Sequence, residues 1–332
     1  MPKFLIIRFS SIGDIVLTSP ILRCVKEQLN AEVHFLTKKV YRSLVEGNPY
    51  IDHVHTIQKN LREVVPALQA ERFDGIVDLH KNLRTWQVRL ALRKPTGTFP
   101  KLNFQKWLLV RWGIDRLPET HIVDRYFRAV RKWGVESDGQ GLDYFIPESR
   151  LDAIDQQIAD LGIGAGPYIA LAIGAAHATK RLPEHKLQEL CQSLDGPIVL
   201  LGGPAEADLG IRLKEQAGKQ VINTCGKLSL HGSARLIERA ALVISHDTGM
   251  MHIAAAFKRP IISIWGSTIP AFGMTPYYPK GIDLNTSLEV QGLACRPCSK
   301  IGFSECPKGH FDCMQQQQLE RVPEVLQKRL HT

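Results

Sequence analysis

The sequence predicts an α/β protein of two Rossmann-like domains, and three observations carry that prediction. Short apolar runs such as residues 198–201 and 261–265 alternate with helix-length segments along the chain, as in parallel sheets buried on both faces. Residues 162–167 put three glycines and a proline into six positions between a helix and a strand, and the alternation restarts after them. At 332 residues the chain has the length of two ordinary domains. The expected division is an N-terminal domain at 1–161, a linker at 162–167, a C-terminal domain at 168–312 and a final segment at 313–332.

Taken in order, residues 4–9 are the opening strand. Residues 10–14 form a polar turn in which Gly13 lets another molecule approach the backbone, and 15–29 are a helix with Pro20 early in it. Asp14 falls at the carboxyl end of that strand, where open α/β sheets bind ligands; capping of its own helix is the other reading. Residues 32–37, 54–57 and 73–79 are the next strands, with helices at 41–46 and 61–71 between them. The last ends in His80-Lys81-Asn82-Leu83-Arg84, where Lys81 and Arg84 are either acceptor contacts or plain surface charge. Residues 97–117 are basic and aromatic, with Phe99, Phe104, Trp107 and Trp112. They suit a membrane-facing amphipathic patch or a core helix with snorkelling lysines. Helices follow at 121–133 and 151–161.

In the second half, 168–173 is a strand, 174–181 a hydrophilic turn and 183–194 a helix. Strand 198–201 ends in Gly202-Gly203-Pro204 and leads to helix 205–217, strand 221–223 and helix 230–241. Residues 242–266 are the most legible unit: an apolar strand, the turn Asp247-Thr248-Gly249, an Ala-rich helix at 250–257 and a second strand at 261–265. A helix starting in such a turn offers free backbone N–H groups and partial positive charge to an anion. An ordinary capped helix is the plainer alternative. The last helix is expected at 315–330.

The bulk composition is that of a globular protein, 44% hydrophobic and 23% charged. No apolar run reaches the roughly 18 residues of a membrane span, and no signal peptide is expected because the first apolar run stops at Arg8, so a cytoplasmic location is expected. A net charge of +9 favours anionic partners. Without a basic tail or a nucleic-acid motif, nucleic acid is not among them. Basic residues punctuate the first half: Lys81, Arg84, Arg89, Arg93, Lys94, Lys101, Lys106 and Arg111.

Three motifs in this order, from Ile6-Ile7-Arg8-Phe9-Ser10-Ser11-Ile12-Gly13-Asp14 through Lys180-Arg181-Leu182-Pro183 to Ser245-His246-Asp247-Thr248-Gly249-Met250-Met251-His252, resemble the heptosyltransferases of glycosyltransferase family 9. The tail, with Cys295, Cys298, Cys306 and Cys313, is similar to the endings of heptosyltransferase II-like members. The resemblance implies a GT-B fold, two Rossmann-like domains facing across a cleft, with the final helix crossing back to the N-terminal domain. It implies inverting transfer of heptose from ADP-heptose to a lipid-linked inner-core oligosaccharide of lipopolysaccharide, with peripheral contact to the inner membrane and no required cofactor or metal. Another nucleotide sugar or acceptor, or a binding protein that kept the scaffold, are the alternatives.

On the same resemblance Asp14 is the general base, and Ser11, Gly13, Lys81 and Arg84 meet the acceptor. Thr179, Lys180, Arg181, Thr248 and Gly249 face the pyrophosphate, Asp247 and His252 the sugar, Glu206 the ribose and Leu228 the adenine, with Gly266, Ser267 and Thr268 closing the donor pocket. The four tail cysteines have the ligand type for a structural zinc; free thiols and disulfides are the other readings.

Overall fold

The structure, a computed structural model, describes residues 1–218 and 220–330, with side chains to residue 326. The chain forms two compact units, each built on a parallel sheet. The first comprises Met1–Lys101, Thr120–Glu148 and Tyr277–Gly281; the second comprises Leu102–Glu119, Ser149–Pro276 and Ile282–Thr332.

In the first unit β1 (Lys3–Ile7) leads through α1 (Ile12–Val16) and α2 (Ser19–Leu29) to β2 (Glu32–Lys38) and β3 (His53–Ile57). α3 (Val65–Ala70), β4 (Gly75–Asp78), α4 (Leu83–Leu92) and β5 (Thr96–Thr98) follow. The strand order is β3-β2-β1-β4-β5, all parallel. Leu5, Ile7, Leu36 and Ile76 lie in the core, fully buried as central parallel strands require. The helix expected at 15–29 is two helices, because Pro20 lacks an N–H and suits only the first turn of the second.

In the second unit α5 (Asn103–Trp112) comes first; α6 (Ile122–Phe127) then belongs to the first unit. α7 (Leu151–Asp160), β6 (Ile169–Ala172), α8 (Glu184–Ser193), β7 (Ile198–Leu201), α9 (Ala207–Ala217), β8 (Val221–Asn223) and α10 (Leu230–Arg239) continue it. Next come β9 (Leu242–His246), α11 (Gly249–Ala256), β10 (Ile261–Trp265), β11 (Asn285–Glu289), α12 (Asp312–Gln315) and α13 (Val322–Leu330). The order is β11-β10-β9-β6-β7-β8, again parallel.

The division differs from the expected one. α7 belongs to the second unit, where Asp155 takes hydrogen bonds from Arg235 at 3.0 Å and Arg239 at 2.6 Å, so residues 162–167 lie inside that unit. The segment that joins the first unit from the C-terminal half is Tyr277–Gly281, with Tyr277 donating to Asp124 at 2.8 Å. Val322 and Leu326 of the final helix lie in the apolar core of the second unit.

Candidate active site

Each sheet has one place where the strand order reverses: between β1 and β4 in the first unit, and between β6 and β9 in the second. Loops leaving the carboxyl ends there diverge and leave room for a ligand. The sequence-predicted residues fall at both places.

In the first unit, Asp14 lies in α1, directly after β1. Its Oδ2 accepts from the Ser11 N–H at 3.1 Å and the Ser11 hydroxyl at 2.9 Å, and its Oδ1 pairs with Arg8 Nη2 at 2.6 Å. Burial alone would raise its pKa; the Arg8 charge and the two Ser11 hydrogen bonds outweigh that and hold the carboxyl below its ordinary value. Arg8 is itself anchored, donating to the Ser10 carbonyl at 2.8 Å, the Tyr126 hydroxyl at 3.0 Å and the Leu79 carbonyl. Gly13 is buried in α1.

Beyond β4, Asp78 Oδ1 accepts from the backbone N–H groups of His80 at 3.1 Å and Lys81 at 2.7 Å. Lys81 turns its ammonium to the Phe99 carbonyl at 3.2 Å, and Arg84 is exposed on α4. Two neighbours, His80 and Lys101, carry no site role in the sequence reading. Burial, reinforced by the Arg8 and Lys101 charges, lowers His80 to about 4 and keeps it neutral; burial and the Arg8 charge lower Lys101. Their basic neighbours come from distant segments, which leaves no local sequence signal.

In the second unit, Lys180 and Thr268 converge on one oxygen: Asp247 Oδ2 takes Lys180 Nζ at 2.6 Å and the Thr268 hydroxyl at 2.9 Å. Thr248 is the N-cap residue of α11 and Gly249 its first residue. Glu206 fits against Gly174 and Gly202, where an added Cβ would lie 2.8 Å from its carboxyl carbon and its Cβ respectively. It accepts from the Gly203 N–H at 2.9 Å and lies 3.8 Å from Arg181. Arg181 also donates to the Ala175 carbonyl at 2.8 Å. Leu228 packs beside Gly232 on α10.

Several expected ligand contacts have structural work instead. The Thr179 hydroxyl is buried, accepting from the Phe303 N–H at 2.8 Å and the Ser267 hydroxyl at 2.9 Å. Those bonds occupy the Thr179 hydroxyl and the Ser267 proton. His252 is only 2% exposed within α11. Gly266 is glycine because a Cβ would lie 2.6 Å from Met314 Cε and 2.7 Å from the Thr179 carbonyl.

Two organisers were missed. His246, pushed down to about 4 by burial, accepts the Leu182 N–H at 3.0 Å and ties the 174–182 loop to β9. Arg296 donates to the Gly266 carbonyl at 2.7 Å and the Thr268 carbonyl at 2.9 Å, and pairs with Glu289 at 2.6 Å. Only the Cys-rich composition marked its segment.

That segment gathers the four cysteines. Burial and the neighbouring sulfurs push Cys298 up to about 11 and Cys313 to about 12. All are free thiols. Among the described residues, the sets of three donor atoms within 4.8 Å of one another contain no cysteine.

The comparisons extend the geometry. A family model described as glycosyltransferase family 9 (heptosyltransferase) matches residues 61–301. Lipopolysaccharide heptosyltransferase 1 of Pseudomonas aeruginosa is 26% identical over 323 residues, covering 90% of this chain and 86% of that protein. A glycosyl transferase family 9 structure from Veillonella parvula superposes with a TM-score of 0.79 at 21% identity, covering 99% of this chain and 97% of the other. The structure of Escherichia coli ADP-heptose lipopolysaccharide heptosyltransferase II does so at 0.70 and 20% identity, covering 98% and 99%. These likenesses give the two parallel-sheet units the GT-B fold, and the chain belongs to glycosyltransferase family 9.

Proposed function

We propose that the protein is an inverting heptosyltransferase that moves heptose from ADP-heptose to a lipid-linked inner-core acceptor of lipopolysaccharide. The reading rests on family membership, and on relatives named as lipopolysaccharide heptosyltransferases. The observation that carries its chemistry is Asp14, an oriented carboxylate at the first switch point with its pKa held low, hence ionised at neutral pH.

In the proposed step the acceptor hydroxyl oxygen bonds to the anomeric carbon from the face opposite the nucleotide. The bond from that carbon to the pyrophosphate oxygen breaks, ADP leaves with the electron pair, and the hydroxyl proton passes to Asp14. A carboxylate this acidic takes the proton late, once the attacking oxygen has become positive. Lys180, Arg181 and the N–H groups opening α11 meet the charge that develops on the leaving group. An ammonium has three N–H donors, and the single bond from Lys180 to Asp247 leaves two for phosphate. No metal is needed for this charge balance. We assign Asp247 to the sugar hydroxyls, Glu206 to the ribose, Leu228 to the base, and Ser11, Gly13, Lys81 and Arg84 to the acceptor.

Among the described residues no helix is long and apolar enough to cross a membrane. The acceptor's lipid is instead met by peripheral contact through α5, none of whose residues is buried. A cytoplasmic location is part of this proposal.

Calorimetry with ADP, UDP, GDP and CMP, without added metal, tests the donor half. ADP preference that is lost in Lys180→Ala supports it; preference for another nucleotide overturns the ADP-heptose assignment. For the base, Asp14→Asn is expected to abolish transfer with donor affinity near normal. Loss of donor binding in that variant would make Asp14 structural.

A further inference from the structure

Three imidazoles and two carboxylates gather at the amino end of the first sheet, opposite the strand ends that carry Asp14. β2 opens Glu32-Val33-His34 and β3 opens His53-Val54-His55. The parallel register sets His34 beside His53 and Leu36 beside His55, and alternate residues share a face. Glu32, His34, His53 and His55 therefore project from the same face, and Glu71, the residue after α3, reaches the same cluster.

The spacing is that of ligands. His34 Nε2 lies 2.9 Å from Glu32 Oε1, and His53 Nε2 lies 3.4 Å from the same oxygen. One donor atom from each of these three residues is within 4.8 Å of the other two. Donors held about 2.0–2.2 Å from a tetrahedral ion stand roughly 3.3–3.6 Å apart, close to the two separations from Glu32.

The surroundings also suit an ion. His34 is fully buried and stacked on His55, with ring centroids 5.1 Å apart and planes at 11°. Its Nδ1 meets His55 Nε2 at 2.8 Å, the kind of outer contact that fixes the tautomer and orientation of a metal-binding imidazole. His53 is exposed and provides an entry path.

We propose that Glu32, His34 and His53 bind one divalent first-row transition ion of the zinc class, with His55 as the positioning residue for His34. Two imidazoles and one carboxylate form a borderline donor set, which selects such ions over magnesium or calcium. The ion displaces the Lys3 ammonium from Glu32, now at 3.0 Å, while Lys3 keeps Glu71 at 3.2 Å. It is structural: it fastens the edge strand β3 to β2 and takes no part in sugar transfer.

The test is zinc titration by calorimetry of the full chain with Cys295→Ser, Cys298→Ser and Cys306→Ser, which removes competing thiolates; circular dichroism first checks the fold. One equivalent of zinc is expected, with affinity falling 10-fold or more in His53→Gln, an exposed position that spares the core. His55→Gln is expected to weaken binding by about 10-fold through loss of orientation. Cobalt substituted for zinc gives a spectrum without a thiolate charge-transfer band. No saturable zinc uptake by the folded cysteine variant, or uptake unchanged by His53→Gln, overturns the proposal.

Discussion

Asp14 is bound twice by Ser11 and once by Arg8, so helix capping and the proposed chemistry draw on one set of bonds. The same contacts that close the turn aim and ionise the carboxylate. In Arg8→Gln the charge that lowers the Asp14 pKa is gone and burial remains, so that pKa must rise. For a base that works ionised, the acid limb of kcat/KM then moves to higher pH; in the parent it lies below the ordinary carboxylate value of about 4. A pH profile of kcat/KM on folded Arg8→Gln checks this. An unmoved limb would mean that another group sets it. Asp14 was singled out by its place after the first strand and by its motif, both of them local in sequence. Its wider anchoring was not, since Arg8 reaches Tyr126, 118 positions on. The same holds for Thr179: its partner Phe303 lies 124 positions away, and a free hydroxyl and an occupied one look alike in sequence.

Among elements, β6, β7, β9 and β10 were readable because central parallel strands are continuous apolar runs. The edge strands β5, Thr-Gly-Thr, and β11, Asn-Thr-Ser-Leu-Glu, carry too little apolar surface for that signal. α4 also escaped notice, because its helical run is rich in basic and exposed residues. The loop after β10 depends on Arg296, whose side chain is 6% exposed and holds Gly266, Thr268 and Glu289 together. Arg296→Ala leaves the Glu289 carboxylate and two carbonyls without these donors, at a cost of roughly 3 kcal/mol in a urea melt. Because Thr268 donates to Asp247, ADP affinity is expected to fall as well. Lost stability with unchanged ADP affinity would confine Arg296 to packing.

At the scale of the whole molecule, strand–helix alternation announced two parallel-sheet units, but the glycine-rich stretch at 162–167 misplaced their boundary. Glycine marks backbone freedom; unit membership is decided by packing, here by Asp155 on α7 against Arg235 and Arg239. Residues 97–117 were left between core and membrane, and the structure rules out a core role for α5. Phe104, Trp107 and Trp112 are 66%, 47% and 64% exposed, beside Arg111 and the half-buried Lys106. On a protein of net charge +9, this helix is where the proposed contact with an anionic bilayer surface would be made. Fully burying a large apolar side chain contributes roughly 1.5–3 kcal/mol. Trp107→Ser with Trp112→Ser is therefore expected to cut partitioning onto vesicles containing anionic lipid by at least about 10-fold. Raising the salt should weaken binding of both proteins, because charge attraction reaches only about 10 Å at 0.1 M. Sedimentation with vesicles measures both effects. Equal partitioning of the parent and the double variant would remove α5 from the membrane contact and leave the excess charge as the whole attraction.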